Sequence, residues 1–119
     1  MTASIVRLDG PASWEACDPA ADRIVAGLPA HRAWNAFTDA SGRFFCGRWS
    51  SSPGKWRVRY TENELCVLTA GRVTIDSAAG ERQAFSAGDA FVVPAGFEGT
   101  WTVHEECTKF YAIFEPGSK

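Results

Sequence analysis

No apolar run in this chain approaches the roughly 18 residues that a membrane-spanning helix needs, and no basic block stands out among its 12 Lys and Arg and 14 Asp and Glu. The first absence argues against a membrane partner. The second, with a net charge of −2, argues against nucleic acid, because nothing concentrates positive charge for a phosphate backbone. The opening stretch MTASIVRLDGPASW also lacks the uninterrupted apolar core of a signal peptide, so a cytoplasmic location is expected. No CxxC pair occurs among Cys17, Cys46, Cys66 and Cys107. Cys46 and Cys66 lie inside apolar strand patterns, which reads as reduced, buried thiols rather than disulfides or a zinc knuckle. Histidine is scarce, with 2 in the chain. His104 falls one residue past the inward-parity position Val103, and His31 sits in the loop after Pro29, so both are expected at the surface.

What is present is ordinary globular material: 119 residues, 45% hydrophobic and 22% charged, enough for one domain with a single core. No internal repeat or low-complexity linker interrupts it, and no sustained helical periodicity follows Gly27. Short runs punctuated by Gly, Pro, Asn and Asp predict strands at Ser4–Leu8, Arg23–Ala26, Ala33–Phe37, Arg43–Ser50, Lys55–Thr61 and Glu64–Ala70. Further strands are predicted at Arg72–Asp76, Gln83–Phe85, Ala90–Val93, Gly99–Val103 and Lys109–Glu115. Ala12–Cys17 reads as a helical turn opened by Ser13 and closed before Pro19. Asn63 in ENE, the glycine of SAAG and Gly88 in AGD supply turn chemistry. So many short antiparallel strands must hide their edges, and a sandwich or closed barrel does so.

GDAFVVPAG places Gly88, five residues, Pro94, one residue and Gly96, the spacing of the second signature of the cupin superfamily. Glu64, the six residues LCVLTA and then Gly71 match the ending of the first. GRWSSSPGKWRVRYTENELCVLTAGRVTI, FSAGDAFVVPAGFEGTW and KFYAIF together resemble the small single-domain cupins related to the (S)-ureidoglycine aminohydrolase cupin domain, over about Gly47 to Phe114. The resemblance implies an all-β cupin (RmlC-like) double-stranded β-helix, or jelly-roll barrel, with a pocket at one open end. It implies one domain over residues 1–119, with a strand arm at about 1–40 and a barrel core at about 43–115. Cupins often pair, so a homodimer is expected, and the arm strand SIVRL could add to a neighbouring sheet edge to make one.

In metal-binding cupins the pocket holds a divalent ion on three histidines and a glutamate. The resemblance carries those positions onto Val58, Tyr60, Glu64 and Gly99, and only Glu64 keeps its type. A transition metal needs three or four protein ligands, and Val58 and Gly99 offer no donor atom. No cofactor is therefore expected and a divalent metal is disfavoured. The set Glu64, Cys66 and Tyr60 is the alternative metal site, since Cys66 shares the strand face of Glu64. Without a histidine, Gly99 is expected to leave space, with Trp101 on its face as an aromatic wall.

Strand parity groups Trp56, Val58 and Tyr60 on one face, and Glu64, Cys66 and Leu68 on another. If Lys109 and Tyr111 also face inward, Trp56, Tyr60, Glu64, Trp101, Lys109 and Tyr111 form a ligand-binding set, in which Glu64 is the best candidate for acid–base catalysis. The bland alternatives stay open: Trp49, Trp56 and Trp101 as core packing, Lys109 as a solvated strand end, Tyr60 as a buried phenol satisfied within the fold. Three functions follow. The chain is a metal-free binder of a small molecule, or a metal-dependent hydrolase of the ureidoglycine aminohydrolase type acting on a ureide or amide, or a barrel filled by its own aromatics.

Overall fold

The computed structural model describes residues 3–116, and among them there is no α-helix. The strands are β1 (Glu15–Ala16), β2 (Ile24–Ala26), β3 (His31–Thr38), β4 (Phe44–Ser51), β5 (Gly54–Arg59), β6 (Asn63–Ser77), β7 (Arg82–Ser86), β8 (Ala90–Val93) and β9 (Glu98–Phe114). All pairings are antiparallel. β9 is the spine: its first half pairs with β5, its second half with β4, and β6 runs along its other side. β3 and β1 extend the sheet beyond β4, β2 borders β5, and β7 and β8 border β6. The result is a nearly all-β, curled antiparallel sheet, as the strand pattern predicts.

Two strand pairs expected to be separate are single long strands. Glu64–Ala70 and Arg72–Asp76 are both part of β6, and Gly99–Val103 and Lys109–Glu115 fall almost wholly within β9. The expected break at Gly71 is a run of register shifts between Leu68 and Val73. Gly71 has φ +88°, and a Cβ there would lie 2.3 Å from the Glu106 carbonyl oxygen, so only glycine allows the approach. The irregularity also changes parity: Glu64, Cys66 and Leu68 are buried before it, Val73 and Ile75 after it. One strand thereby keeps its apolar side inward as the sheet bends.

Two N-terminal expectations fail. Ser4–Leu8 forms no strand, and Ile5 is fully exposed, because no sheet edge in this chain reaches it. Ala12–Cys17 is not a helical turn: Glu15 pairs with Ala33 and Ala16 with Arg32, and sheet edge pairing wins over the local capping signal. The core within the curl is Trp56, Cys66, Leu68, Val73, Ile75, Val93, Trp101, Val103 and Cys107. No helix among the described residues is long and apolar enough to cross a membrane.

Candidate functional site

The turn Pro94–Gly96 positions one side of the site. The Gly96 N–H donates to the Tyr60 carbonyl and the Tyr60 N–H to the Phe97 carbonyl, at 2.8 and 2.9 Å. The Ala95 N–H donates to Asn63 Oδ1 at 2.9 Å, tying the turn to the start of β6. Tyr60 is thus held beyond the end of β5, and its hydroxyl donates to Glu64 Oε1 at 2.9 Å.

The second Glu64 oxygen faces Lys109 on β9. Lys109 Nζ lies 2.9 Å from Glu64 Oε2, and the two residues are 4% and 5% exposed. The same ammonium donates to Cys66 Sγ at 3.5 Å. It also stands 4.6 Å from the centre of the Trp49 ring and 4.4 Å from that of Trp101, within cation–π range. Trp49 lies directly across the ladder from Lys109, which brings indole and ammonium together. Burial works against the charge, but the charge attraction and hydrogen bonds of Glu64 and Cys66 together outweigh it and hold Lys109 above the ordinary lysine range. Lys109 is therefore not a solvated strand end.

The indoles continue as a cluster. Trp56 and Trp101 are ladder partners, stacked at 17° with centroids 6.2 Å apart. His31 packs edge-on against Trp56 at 4.3 Å and Trp49 at 4.8 Å. The expected surface loop position of His31 is corrected: it is the first residue of β3 and 7% exposed. Asp18 anchors its backbone by accepting from the His31 N–H at 2.8 Å, and the ladder with Ser51 turns the ring inward. Burial pushes its pKa down to about 4, Lys109 adding to this and Asp18 opposing it. His104, by contrast, is exposed as expected.

These groups line a cavity of about 550 Å³ open to solvent. Trp56, Tyr60, Glu64, Trp101, Lys109 and Tyr111, the six residues of the expected ligand-binding set, all border it. Tyr111 donates to Asn35 Oδ1 at 2.8 Å, and burial first, then Cys46 and Glu64, push its phenol up to about 12. Sequence reasoning missed His31 and Asn35. The signal for His31 was its parity with Ala33, two residues along the same strand; Pro29 concealed it.

The residues do not fit a bound metal. Glu64 already carries a cation, and among the described residues no group of three or more His, Cys, Asp and Glu is placed to hold an ion. Burial pushes the Cys66 thiol up to about 12, so it is no ready thiolate ligand. The expectation that Gly99 leaves space is also corrected. A Cβ there would lie 1.9 Å from the Asp76 carbonyl oxygen, so the glycine serves the close approach of β9 to β6. No histidine could stand at Gly99 without moving backbone.

Residues 38–111 match the EutQ-like cupin domain. No curated protein matches the chain. Among solved structures, a protein of unknown function of the DUF861 family from Pseudomonas syringae pv. tomato str. DC3000 is 26% identical, with a TM-score of 0.80 over 91% of this chain and 46% of that one. The Clostridium difficile EutQ protein shares the fold at 18% identity, with a TM-score of 0.65 over 73% of this chain and 64% of that one. A DUF861 family protein from Thermotoga maritima is 27% identical, with a TM-score of 0.55 over 56% of this chain and 76% of its own. The chain thus spans about half the length of the Pseudomonas protein.

Proposed function

The chain belongs to the EutQ-like cupin family, and we propose that it works as a metal-free binder of a small molecule held in the aromatic mouth of its barrel. The observation that carries this reading is the Lys109–Glu64 pair, 2.9 Å apart beside a cavity of about 550 Å³. The pair supplies internally the positive charge that a divalent ion would bring to the glutamate. The open volume lies in the range of small-molecule sites and argues against a barrel filled by its own aromatics. Trp49, Trp56 and Trp101 then serve two roles at once, packing the core with one part of each ring and walling the cavity with another.

The metal-dependent hydrolase of the ureidoglycine aminohydrolase type is the weaker reading. It requires an ion on positions that Val58, Tyr60 and Gly99 do not equip, and the relatives named above lend that finer resemblance no support. Elemental analysis of untagged protein, purified without chelator and after loading with Mn, Fe, Ni and Zn, separates the two. The expected result is no stoichiometric metal together with thermal shifts from members of a small-molecule panel containing carboxylates, amides and ureides. Near-stoichiometric metal would overturn the metal-free reading.

A further inference from the structure

The fully buried charges of the cavity are already matched. Lys109 and Glu64 neutralise each other, and His31, packed between Trp49 and Trp56, is neutral at pH 7. An ionic ligand entering the lumen would lose its hydration and find no free counter-charge, unless it broke the buried pair. Arg23, Arg57 and Arg59 at the cavity rim are exposed and Glu62 beside them is half-exposed, so water screens what they offer an anion or a cation.

Hydrogen-bonding capacity is unevenly spent. The Lys109 donors go to Glu64, Cys66 and the indole faces, the Tyr60 hydroxyl donates to Glu64, and the Tyr111 hydroxyl donates to Asn35. Trp101 Nε1 and His31 Nε2 have no partner among the described residues but are themselves buried atoms, reached only by displacing side chains. What remains open is acceptor capacity: a phenol hydroxyl that donates once can still accept, as Tyr60 and Tyr111 can, and the carboxylates of Glu64 and Glu62 keep lone pairs beside them. The cavity lining also carries the flat rings of Phe45, Trp49, Trp56 and Trp101.

From this balance we infer that the lumen takes a neutral, planar aromatic molecule that donates a hydrogen bond, of the phenol or indole kind, stacked among the tryptophans with its O–H or N–H on Tyr60 or Tyr111. This rests on the small-molecule reading above and narrows it. The test is titration of the protein at pH 7, followed by NMR chemical shifts, with phenol, anisole, indole, N-methylindole, benzoate and benzylammonium. Phenol and indole are expected to bind. The methylated pair should bind about fivefold more weakly for want of the donor, and the two ions at least about tenfold more weakly. In Tyr60→Phe or Tyr111→Phe, checked for an intact fold by circular dichroism, the phenol-to-anisole ratio should fall toward one.

Benzoate or benzylammonium binding as tightly as phenol would overturn this inference and leave the small-molecule reading standing. Equal affinity for phenol and anisole, or a ratio unmoved in both variants, would remove the acceptor assignment and with it the inference. If none of the six probes binds, the aromatic class is wrong, and the small-molecule reading is then decided separately by the panel of carboxylates, amides and ureides.

Discussion

Lys109 Nζ and Glu64 Oε2 stand 2.9 Å apart at the bottom of an open aromatic cavity, each residue about 95% buried. Removing one partner leaves the other buried without a counter-charge. Glu64→Leu and Lys109→Met should each lower stability by about 3–5 kcal/mol, read by urea denaturation. Joining Glu64→Leu to Lys109→Met removes both charges, and the double variant should be more stable than Lys109→Met alone. Independent, additive losses would show that the pair is not coupled.

His31 makes stability depend on pH. Its folded pKa of about 4 lies below the ordinary histidine value, so the unfolded chain takes up a proton before the folded protein does. The contribution is therefore complete above about pH 6.5 and drains away as pH falls toward about 4. Thermal midpoints between pH 7.5 and 4.5 should fall more steeply in the wild type than in His31→Phe, which keeps an aromatic ring there but has no proton to gain. Parallel curves would exclude this linkage.

Gly99 stands where the cupin resemblance puts a metal histidine, yet the Asp76 carbonyl occupies the side-chain direction. Gly99→Ala should cost about 1–3 kcal/mol from forced overpacking, and Gly99→His should be destabilised as well without gaining affinity for Ni or Zn. Tight metal binding by Gly99→His, seen by calorimetry, would contradict the geometry.

The cysteines should divide by burial. Cys66 and Cys107 are fully buried and Cys17 is exposed, and burial raises the Cys66 thiol to about 12. In native protein a thiol reagent should label Cys17 readily and leave Cys66 and Cys107 untouched until denaturant is added. Mass mapping of labelled peptides settles which sites react.

Trp101 is 1% exposed and touches the other indoles of the cluster. Trp101→Ala should cost about 3–5 kcal/mol by loss of a buried aromatic. A loss under about 1 kcal/mol in thermal or urea unfolding would mean that the core does not rest on this ring.

The strands of the barrel and the glycine–proline turn were legible before any coordinates, because period-two patterning and turn residues are local signals. Strand parity also grouped Trp56 with Tyr60, and both border the cavity with Glu64, whereas Cys66, on the same strand face as Glu64, is fully buried in the core. The failures share a cause. Ser4–Leu8 has strand chemistry but no neighbouring edge, Ala12–Cys17 has a cap but a strand partner, and His31 follows a proline yet begins β3. In each case the outcome depended on what packed beside the segment.

What the sequence by itself determined is which residue types are available for the barrel mouth: Glu64, Lys109, phenols and indoles, with no histidine at Val58, Tyr60 or Gly99. Only the tertiary structure decided that the lysine meets the glutamate. Residues 64 and 109 lie on different strands, and contact between their side-chain ends needs β6 and β9 to run side by side while Trp49 and Trp101 hold the ammonium in place. That arrangement depends on strand register and sheet curvature, which are set by long-range pairing and not by local spacing along the chain.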